Sequence, residues 1–68
     1  MIDSNSLTRR QIEVLQYTAD GITNREIGVE LDISFQTVKI HKRNIYKRLN
    51  ATCAAHAVAI GFRKRIIK

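Results

Sequence analysis

The side chains best suited to bind a ligand are concentrated in one segment, SFQTVKIHKRN, at residues 34–44. Lys39, Lys42 and Arg43 are cationic, and His41 lies among them. Ammonium and guanidinium groups donate strong hydrogen bonds to phosphate and carboxylate oxygens, and arginine also matches the edge of guanine. If the segment is one helix, it therefore predicts a face that meets an acidic partner.

The distribution of charge along the chain supports this expectation. The 68 residues include 12 Lys and Arg against 6 Asp and Glu, which gives a formal net charge of +6 and a pI of about 10.1. All the acids precede residue 33, whereas Arg9 and Arg10 are the only cations before Arg25. In so small a chain this balance favours nucleic acid, an anionic membrane surface or an acidic protein as the partner. We expect the second half of the chain to face it.

Several other classes of function lack the residues that they require. Cys53 is the only cysteine, and His41 and His56 stand well apart in the sequence, so neither a disulfide framework nor a metal site is expected. No nucleophile with a neighbouring base, no carboxylate pair and no phosphate-binding glycine loop can be assembled. We therefore expect no enzyme, no cofactor and no small-molecule ligand.

The chain also lacks the signals of a membrane or secreted protein. No apolar run approaches the roughly 18 residues that a membrane helix needs. The N-terminal residues MIDSNS have neither the charged nor the apolar region of a secretory signal. We expect a soluble, cytoplasmic protein with no membrane partner.

Two helix starts can be read from paired polar residues. Thr8 is followed three residues later by Gln11, and Thr23 by Glu26. In each pair the threonine oxygen can accept a backbone N–H while the longer side chain reaches back to the threonine N–H, which is the capping box. The pattern predicts one helix after each threonine.

Two further helices follow from weaker signals. Ser34 is expected to cap a third helix that runs to about Leu49, and Thr52 a fourth that runs toward Arg65. Gly21 and Asn50 are suited to the left-handed conformation that ends many helices. With no proline and no linker, the sequence predicts an all-α, four-helix fold in a single domain, residues 1–68, with its core at 7–66.

The third helix is predicted to have two unlike faces. At about 100° per residue, Val38, Ile45 and Leu49 fall on one narrow stripe that should face the core. Lys39 lies at the edge of the opposite face, which collects Gln36, Ile40, Arg43 and Lys47. An apolar Ile40 among cations fits a ligand face better than an ordinary solvated face.

The second and third helices together predict a helix-turn-helix. Ile27 and Leu31 form the apolar pair of a short second helix, and Gly28 permits a close approach. Asp32 stands in the turn where glycine is common, and aspartate tolerates left-handed angles better than most residues. This motif presents its second helix to the major groove, so duplex DNA is the expected acidic partner.

From Leu7 to Val58 the chain also resembles a known family. The runs LTRRQIEVL, ADGITNREIGVEL, DISFQTVKIHKRNIYKRL and HAV are similar to the LuxR/GerE-type helix-turn-helix of bacterial transcription regulators. The resemblance implies a four-helix, nucleoid-associated domain that binds promoter DNA as a dimer. It fits both a standalone regulator and the C-terminal domain of a longer one.

The resemblance also implies roles for individual residues. Lys39, Ile40 and Arg43 match positions that read bases in the major groove. Thr23, Asn24, Thr37 and His41 match positions near the DNA backbone. Apart from the resemblance, we also expect Gln36, Lys42 and Lys47 of the third helix to contact the DNA backbone. The chain departs from the family pattern at Gln11, Gly28, Asn50, Ala51 and Ala54.

The fourth helix is predicted to have two apolar faces. Ala54, Ala55, Val58 and Phe62 lie on the face that we expect to pack on the first helix. Cys53, Ala57 and Ile60 lie on the other, which we expect to join two copies in a weak homodimer. The tail RKRIIK fits either additional phosphate contacts or solubility.

Three functions remain from the sequence. The first is a DNA-binding transcription regulator that acts on inverted-repeat promoter sites, with RNA polymerase as a possible further partner. The second is a promoter module like region 4 of sigma factors, which has similar helix signals, although the spacing of His41, Asn44 and Ile45 argues against it. The third is a small protein-only partner or antagonist of a larger regulator.

Overall fold

A computed structural model of the protein describes residues 7–68. Its helices are α1 (Arg9–Ala19), α2 (Asn24–Leu31), α3 (Phe35–Leu49) and α4 (Ala54–Arg63). All secondary structure in this range is helical, which confirms the predicted all-α, four-helix fold. Over the same range, no helix combines the length and the apolar character needed to cross a membrane. The segment MIDSNS, in which we predicted no secretory signal, lies outside the described residues.

Both predicted capping boxes are present. Thr8 Oγ1 accepts the Gln11 N–H at 3.1 Å, and the Thr8 N–H donates to Gln11 Oε1 at 2.9 Å. At α2 the Glu26 N–H donates to Thr23 Oγ1 at 3.2 Å, and the Thr23 N–H donates to Glu26 Oε1 at 3.0 Å. Each box satisfies two backbone donors that the first turn of a helix leaves unpaired.

The other helix ends agree with the sequence except at α4. Ser34 Oγ accepts the Thr37 N–H at 3.0 Å, and Gly21 and Asn50 have φ angles of 84° and 55°. The N-cap of α4 is Cys53, which makes no side-chain capping bond, so the prediction that Thr52 caps this helix is wrong. The Thr52 N–H donates instead to the His56 ring at 3.2 Å, and the chain turns into the helix one residue later.

The core lies around α1 and α3, each of which contacts the other three helices. The stripe predicted on α3 faces this core. The buried apolar side chains are Val14, Leu15, Ile27, Val38, Ile45, Leu49, Ala57, Ile60 and Ile67. Because the inner side of α3 is committed to this cluster, its outer side must face solvent or a ligand.

The C-terminal tail returns to α1 and closes the core. Gln16 exchanges two hydrogen bonds with the backbone of Lys68, at 3.0 and 2.9 Å, and Ile67 is buried. Gly61 makes room for this return, because a Cβ there would lie 3.0 Å from Leu15 Cδ2 and 3.1 Å from Ile67 Cδ1. The apolar end of RKRIIK therefore has a packing role that neither of our two interpretations included.

The tail determines which face of α4 points inward, and our assignment of the two faces was wrong at most positions, although Val58 packs against the core as expected. Ala57 is fully buried and Ile60 is 8% exposed, so the prediction that they form an exposed dimer face is wrong. Ala55 and Phe62, which we expected to pack on α1, are exposed. The reason is the close contact at Gly61, which lies beside Ala57 and Ile60 on the helix and draws that side against Leu15 and Ile67. Cys53 is exposed, as expected.

Candidate nucleic-acid interface

A tight turn sets the angle between α2 and α3. Asp32 ends α2 in the left-handed conformation, with φ 56° and ψ 46°, and the Ile33 N–H donates to the Gly28 carbonyl at 2.9 Å. A Cβ on Gly28 would lie 2.7 Å from the Ile33 carbonyl oxygen, a distance that requires something to shift. Glycine at position 28 and aspartate at position 32 thus hold the two helices as a helix-turn-helix.

The outer side of α3 carries the residues that we predicted to read bases. Lys39, Ile40 and Arg43 are all exposed, and Ile40 is 51% exposed. Neither Lys39 nor Arg43 has a described carboxylate within salt-bridge distance. Because neither charge is neutralised by a described carboxylate, both remain available for an anion.

Several predicted contact residues meet in an open groove between the start of α2 and the outer side of α3. The groove has a volume of about 290 Å³. It is lined by Asn24, Lys39, Lys42, Arg43 and Tyr46. The structure therefore brings two of the proposed base readers together with two of the proposed backbone contacts.

Two polar groups of this groove are poorly satisfied within the described chain. Asn24 Oδ1 is buried and has no hydrogen-bond partner, which costs about 1 to 3 kcal/mol for a neutral group. Partial burial of Lys42 lowers the pKa of its ammonium group by desolvation. An anion in the groove would favour the charged form of Lys42 and offset that desolvation.

The remaining predicted backbone contacts lie around the groove rather than in it. Gln36 and Lys47 are exposed near the two ends of α3, and His41 is half-buried. The Thr23 hydroxyl is engaged with Glu26, and the Thr37 hydroxyl lies 2.8 Å from Ser34 Oγ. Both threonines stand at helix starts, so their contact with a ligand would be made beside existing caps.

Three residues near this face were missed by sequence reasoning. Tyr46 lines the groove one turn after Lys42, a spacing that the periodicity of α3 contained. The pKa of the Tyr46 hydroxyl is raised, mainly by burial and to a smaller extent by the charge of Cys53. Arg25 and Phe35 meet across the turn, with the guanidinium carbon 5.8 Å from the ring centroid. The sequence does not predict this contact, because it depends on how α2 and α3 are placed relative to each other.

The geometry defines a class of protein. A helix-turn-helix whose second helix is buried along one stripe and exposes cations along the other is a DNA-binding domain. The family model for bacterial regulatory proteins of the luxR family, GerE, matches residues 5–60. The chain belongs to this family, whose helix-turn-helix domains are DNA-binding units of transcription regulators and not enzymes.

Similar proteins agree with the family. The transcriptional regulatory protein LiaR of Bacillus subtilis is 40% identical over 62 residues, which cover 91% of this chain and 29% of LiaR. The quorum-sensing regulator RhlR of Pseudomonas aeruginosa is 44% identical over 59 residues, which cover 81% of this chain and 24% of RhlR.

A solved structure supports the fold as well. The response regulator ChrA, from a heme-sensing two-component system, has a TM-score of 0.87 and 35% identity, over 91% of this chain and 31% of that one. The chain thus spans less than a third of the length of each of these proteins. Family membership favours the regulator over the sigma-like module that the sequence left open.

Proposed function

We propose that this chain binds duplex DNA in a sequence-specific manner within a transcription regulator, with α3 in the major groove. One observation carries the proposal. Lys39, Ile40 and Arg43 form an exposed row on the helix side opposite the buried stripe, in the position from which a helix-turn-helix meets base edges. Arg43 has the forked donors that match guanine O6 and N7, and Ile40 can contact a thymine methyl group.

The groove beside this row would hold the DNA backbone. Asn24 and Lys42 lie together there, and Lys42 would meet a phosphate with a half-buried charge. Thr23, Gln36, Thr37, His41 and Lys47 surround the row and would add further contacts. Backbone contacts fix the register of the helix in the groove but carry no sequence information themselves. On this proposal the DNA-binding unit comprises residues 7–66 and acts in the cytoplasm, on the nucleoid.

Two copies would join through the outward face of α4. That face carries Ala55, Ala59 and Phe62, which are all exposed, and Phe62 is 47% exposed. Its small area favours a weak dimer that forms on DNA. Because the two copies would be related by a twofold axis, the target would be an inverted repeat with half-site centres about 10 base pairs apart. Contact with RNA polymerase would then follow from the position of the dimer on a promoter.

A library of randomised duplex sites tests the docking orientation. Arg43→Ala should cost about 1 to 3 kcal/mol on the selected site and relax the preference at one base position. Thr23→Val should lower the affinity for selected and for random DNA by similar factors, because residue 23 contacts no base edge in the proposed orientation. Arg10→Ala removes the same charge from an exposed position on α1, where Arg10 pairs with Glu13, and serves as the control.

Two outcomes would contradict the proposal. Should Arg43→Ala leave the base preferences intact while Thr23→Val changes them, the orientation is wrong. Should the wild-type chain select no sequence at all, the protein-only partner from the sequence analysis takes precedence.

A further inference from the structure

Phe35 brings cations from two helices together. It is the first residue of α3, and 41% of its surface is exposed. The guanidinium carbon of Arg25, on α2, lies 5.8 Å from its ring centroid, and Lys39 Nζ, one turn along α3, lies 5.4 Å from it. Both distances are within the roughly 6 Å at which a cation is attracted to the face of an aromatic ring.

The ring lies outside the buried core of the described chain. Phe35 belongs neither to the buried core nor to the partly buried side chains that pack on it. Arg25 and Lys39 repel one another, and no described carboxylate is within salt-bridge distance of either. The ring is a described group that attracts both cations. Each contact of this kind at an exposed site changes an equilibrium constant by roughly two- to fivefold.

We propose that Phe35 is a positioning residue for DNA recognition, which holds Lys39 and Arg25 ready at the start of α3 before DNA binds. The inference rests on the proposed function, in which Lys39 is a base reader. A free lysine side chain is flexible, and ordering it upon binding lowers affinity. A ring that already restrains Lys39 removes part of that loss and couples the first turn of α3 to α2.

The contact can be tested without DNA by proton NMR of the free protein. Protons over an aromatic ring are shifted upfield, so the methylene protons next to the charged groups of Lys39 and Arg25 should be shifted in the wild type. Phe35→Tyr keeps the ring and should keep the shifts. Phe35→Leu keeps an apolar side chain and should lose them. Unshifted methylene protons in the wild type would overturn the proposal.

The consequence for binding is tested by a mutant cycle on a duplex that the wild-type chain selects from a randomised library. Phe35→Leu should weaken binding by about fivefold, within the range for two such contacts. It should also reduce the base preference at the same position at which Lys39→Met reduces it. Phe35→Tyr should keep most of the wild-type affinity. In a chain that already carries Arg25→Met and Lys39→Met, Phe35→Leu should change affinity by less than about twofold, because no cation remains for the ring to hold.

The outcomes separate this inference from the proposed function. One outcome is that Phe35→Leu lowers the DNA affinity of the Arg25→Met, Lys39→Met chain by the same factor as that of the wild type. In that case the ring contacts DNA directly or supports the fold, and its positioning role is refuted. If Phe35→Leu leaves wild-type affinity unchanged while Arg43→Ala lowers it, only the positioning role fails. If Arg43→Ala also has no effect, the proposed function fails, whatever the NMR shifts show.

Discussion

At the scale of single residues, α3 separates side chains that build the fold from those left for a partner. Val38 is fully buried, whereas Ile40, two positions later, is 51% exposed. An isolated exposed aliphatic residue is common on protein surfaces. Ile40 differs because it lies between Lys39 and Arg43, neither of which has a described carboxylate within salt-bridge distance. Its position favours contact with an apolar base edge over mere exposure to water.

Replacement of Ile40 by Ala should reduce discrimination at a single thymine. The methyl contact would be lost, but no charge would change, so the slope of log affinity against log salt should stay as in the wild type. Competition binding on matched duplexes that differ at one base would measure the discrimination. Val29→Ala is the control, since Val29 is 77% exposed on α2 and lines a different groove, with Tyr17 and Ile22. Equal effects of the two changes would mean that Ile40 is not at a base.

At the scale of helices, the two capping boxes are alike in geometry but not in charge. α1 closes its box with the neutral amide of Gln11, and α2 with the carboxylate of Glu26. Hydrogen bonds from the backbone N–H and then the side chain of Thr23 lower the pKa of Glu26. A carboxylate at a helix start is also favoured by the helix dipole. Only the α2 box should therefore respond to acid.

The stability that Glu26 contributes should disappear at low pH. Because its folded pKa is depressed, this contribution is present above the unfolded pKa of about 4.3 and is lost as pH falls through the lower folded value. Glu26→Gln keeps the acceptor oxygen without the charge, as Gln11 does. Its urea midpoint should be below that of the wild type at pH 7, and the difference should narrow at pH 3. Glu30→Gln, on α2 but outside its cap, gives the reference for removing one exposed carboxylate; a parallel pH response of both variants would contradict the assignment.

The charge of α3 should set the salt dependence of DNA binding. Each phosphate neutralised releases counterions, and log affinity falls by about 0.9 per contacted phosphate for each unit of log salt. Lys42 lies in the groove beside Asn24. Lys42→Met should therefore reduce the slope of log affinity against log salt by about 0.9, and it should lower the affinity for selected and random DNA by similar factors. Affinities measured at several salt concentrations test this, with Arg10→Ala as the control. An unchanged slope would place Lys42 away from the backbone.

Local features of the fold could be predicted because their partners are close in the sequence. Thr23 and Glu26 are three residues apart, and the stripe of Val38 and Ile45 follows from helix periodicity alone. The orientation of α4 could not be predicted in this way. It depends on the close packing of Gly61 against Leu15 and on Gln16 binding the backbone of Lys68, and both contacts join residues far apart in the chain.

The candidate site shows the same division. The row of Lys39, Ile40 and Arg43 could be predicted, since it lies opposite a core stripe on one helix. The contact of Phe35 with Arg25 could not, because it depends on how α2 and α3 cross. The groove at Asn24 also depends on that crossing, so Asn24 could be named only through the family resemblance, and Tyr46 was missed.

At the scale of the whole molecule, the side of α4 that packs inward limits where the proposed dimer could form. Ala57 and Ile60 are used by the core, together with the returning Ile67. The outward surface is left with Ala55, Ala59 and Phe62. Two small residues and one half-exposed ring offer limited apolar area, which is why we expect dimers to form on a two-half-site duplex rather than in dilute solution.

Ala59→Glu should separate binding to a full site from binding to a half site. A carboxylate from each copy would meet at the twofold axis, where like charges repel, and no core contact would be lost because Ala59 is exposed. Affinity for an inverted repeat with half-site centres about 10 base pairs apart should fall strongly, while affinity for a single half site should change little. Phe62→Ala, which removes apolar area without adding charge, should show the same pattern more weakly. Val29→Glu adds the same charge to α2 and should affect both duplexes equally. If Ala59→Glu does so too, α4 does not join the two copies.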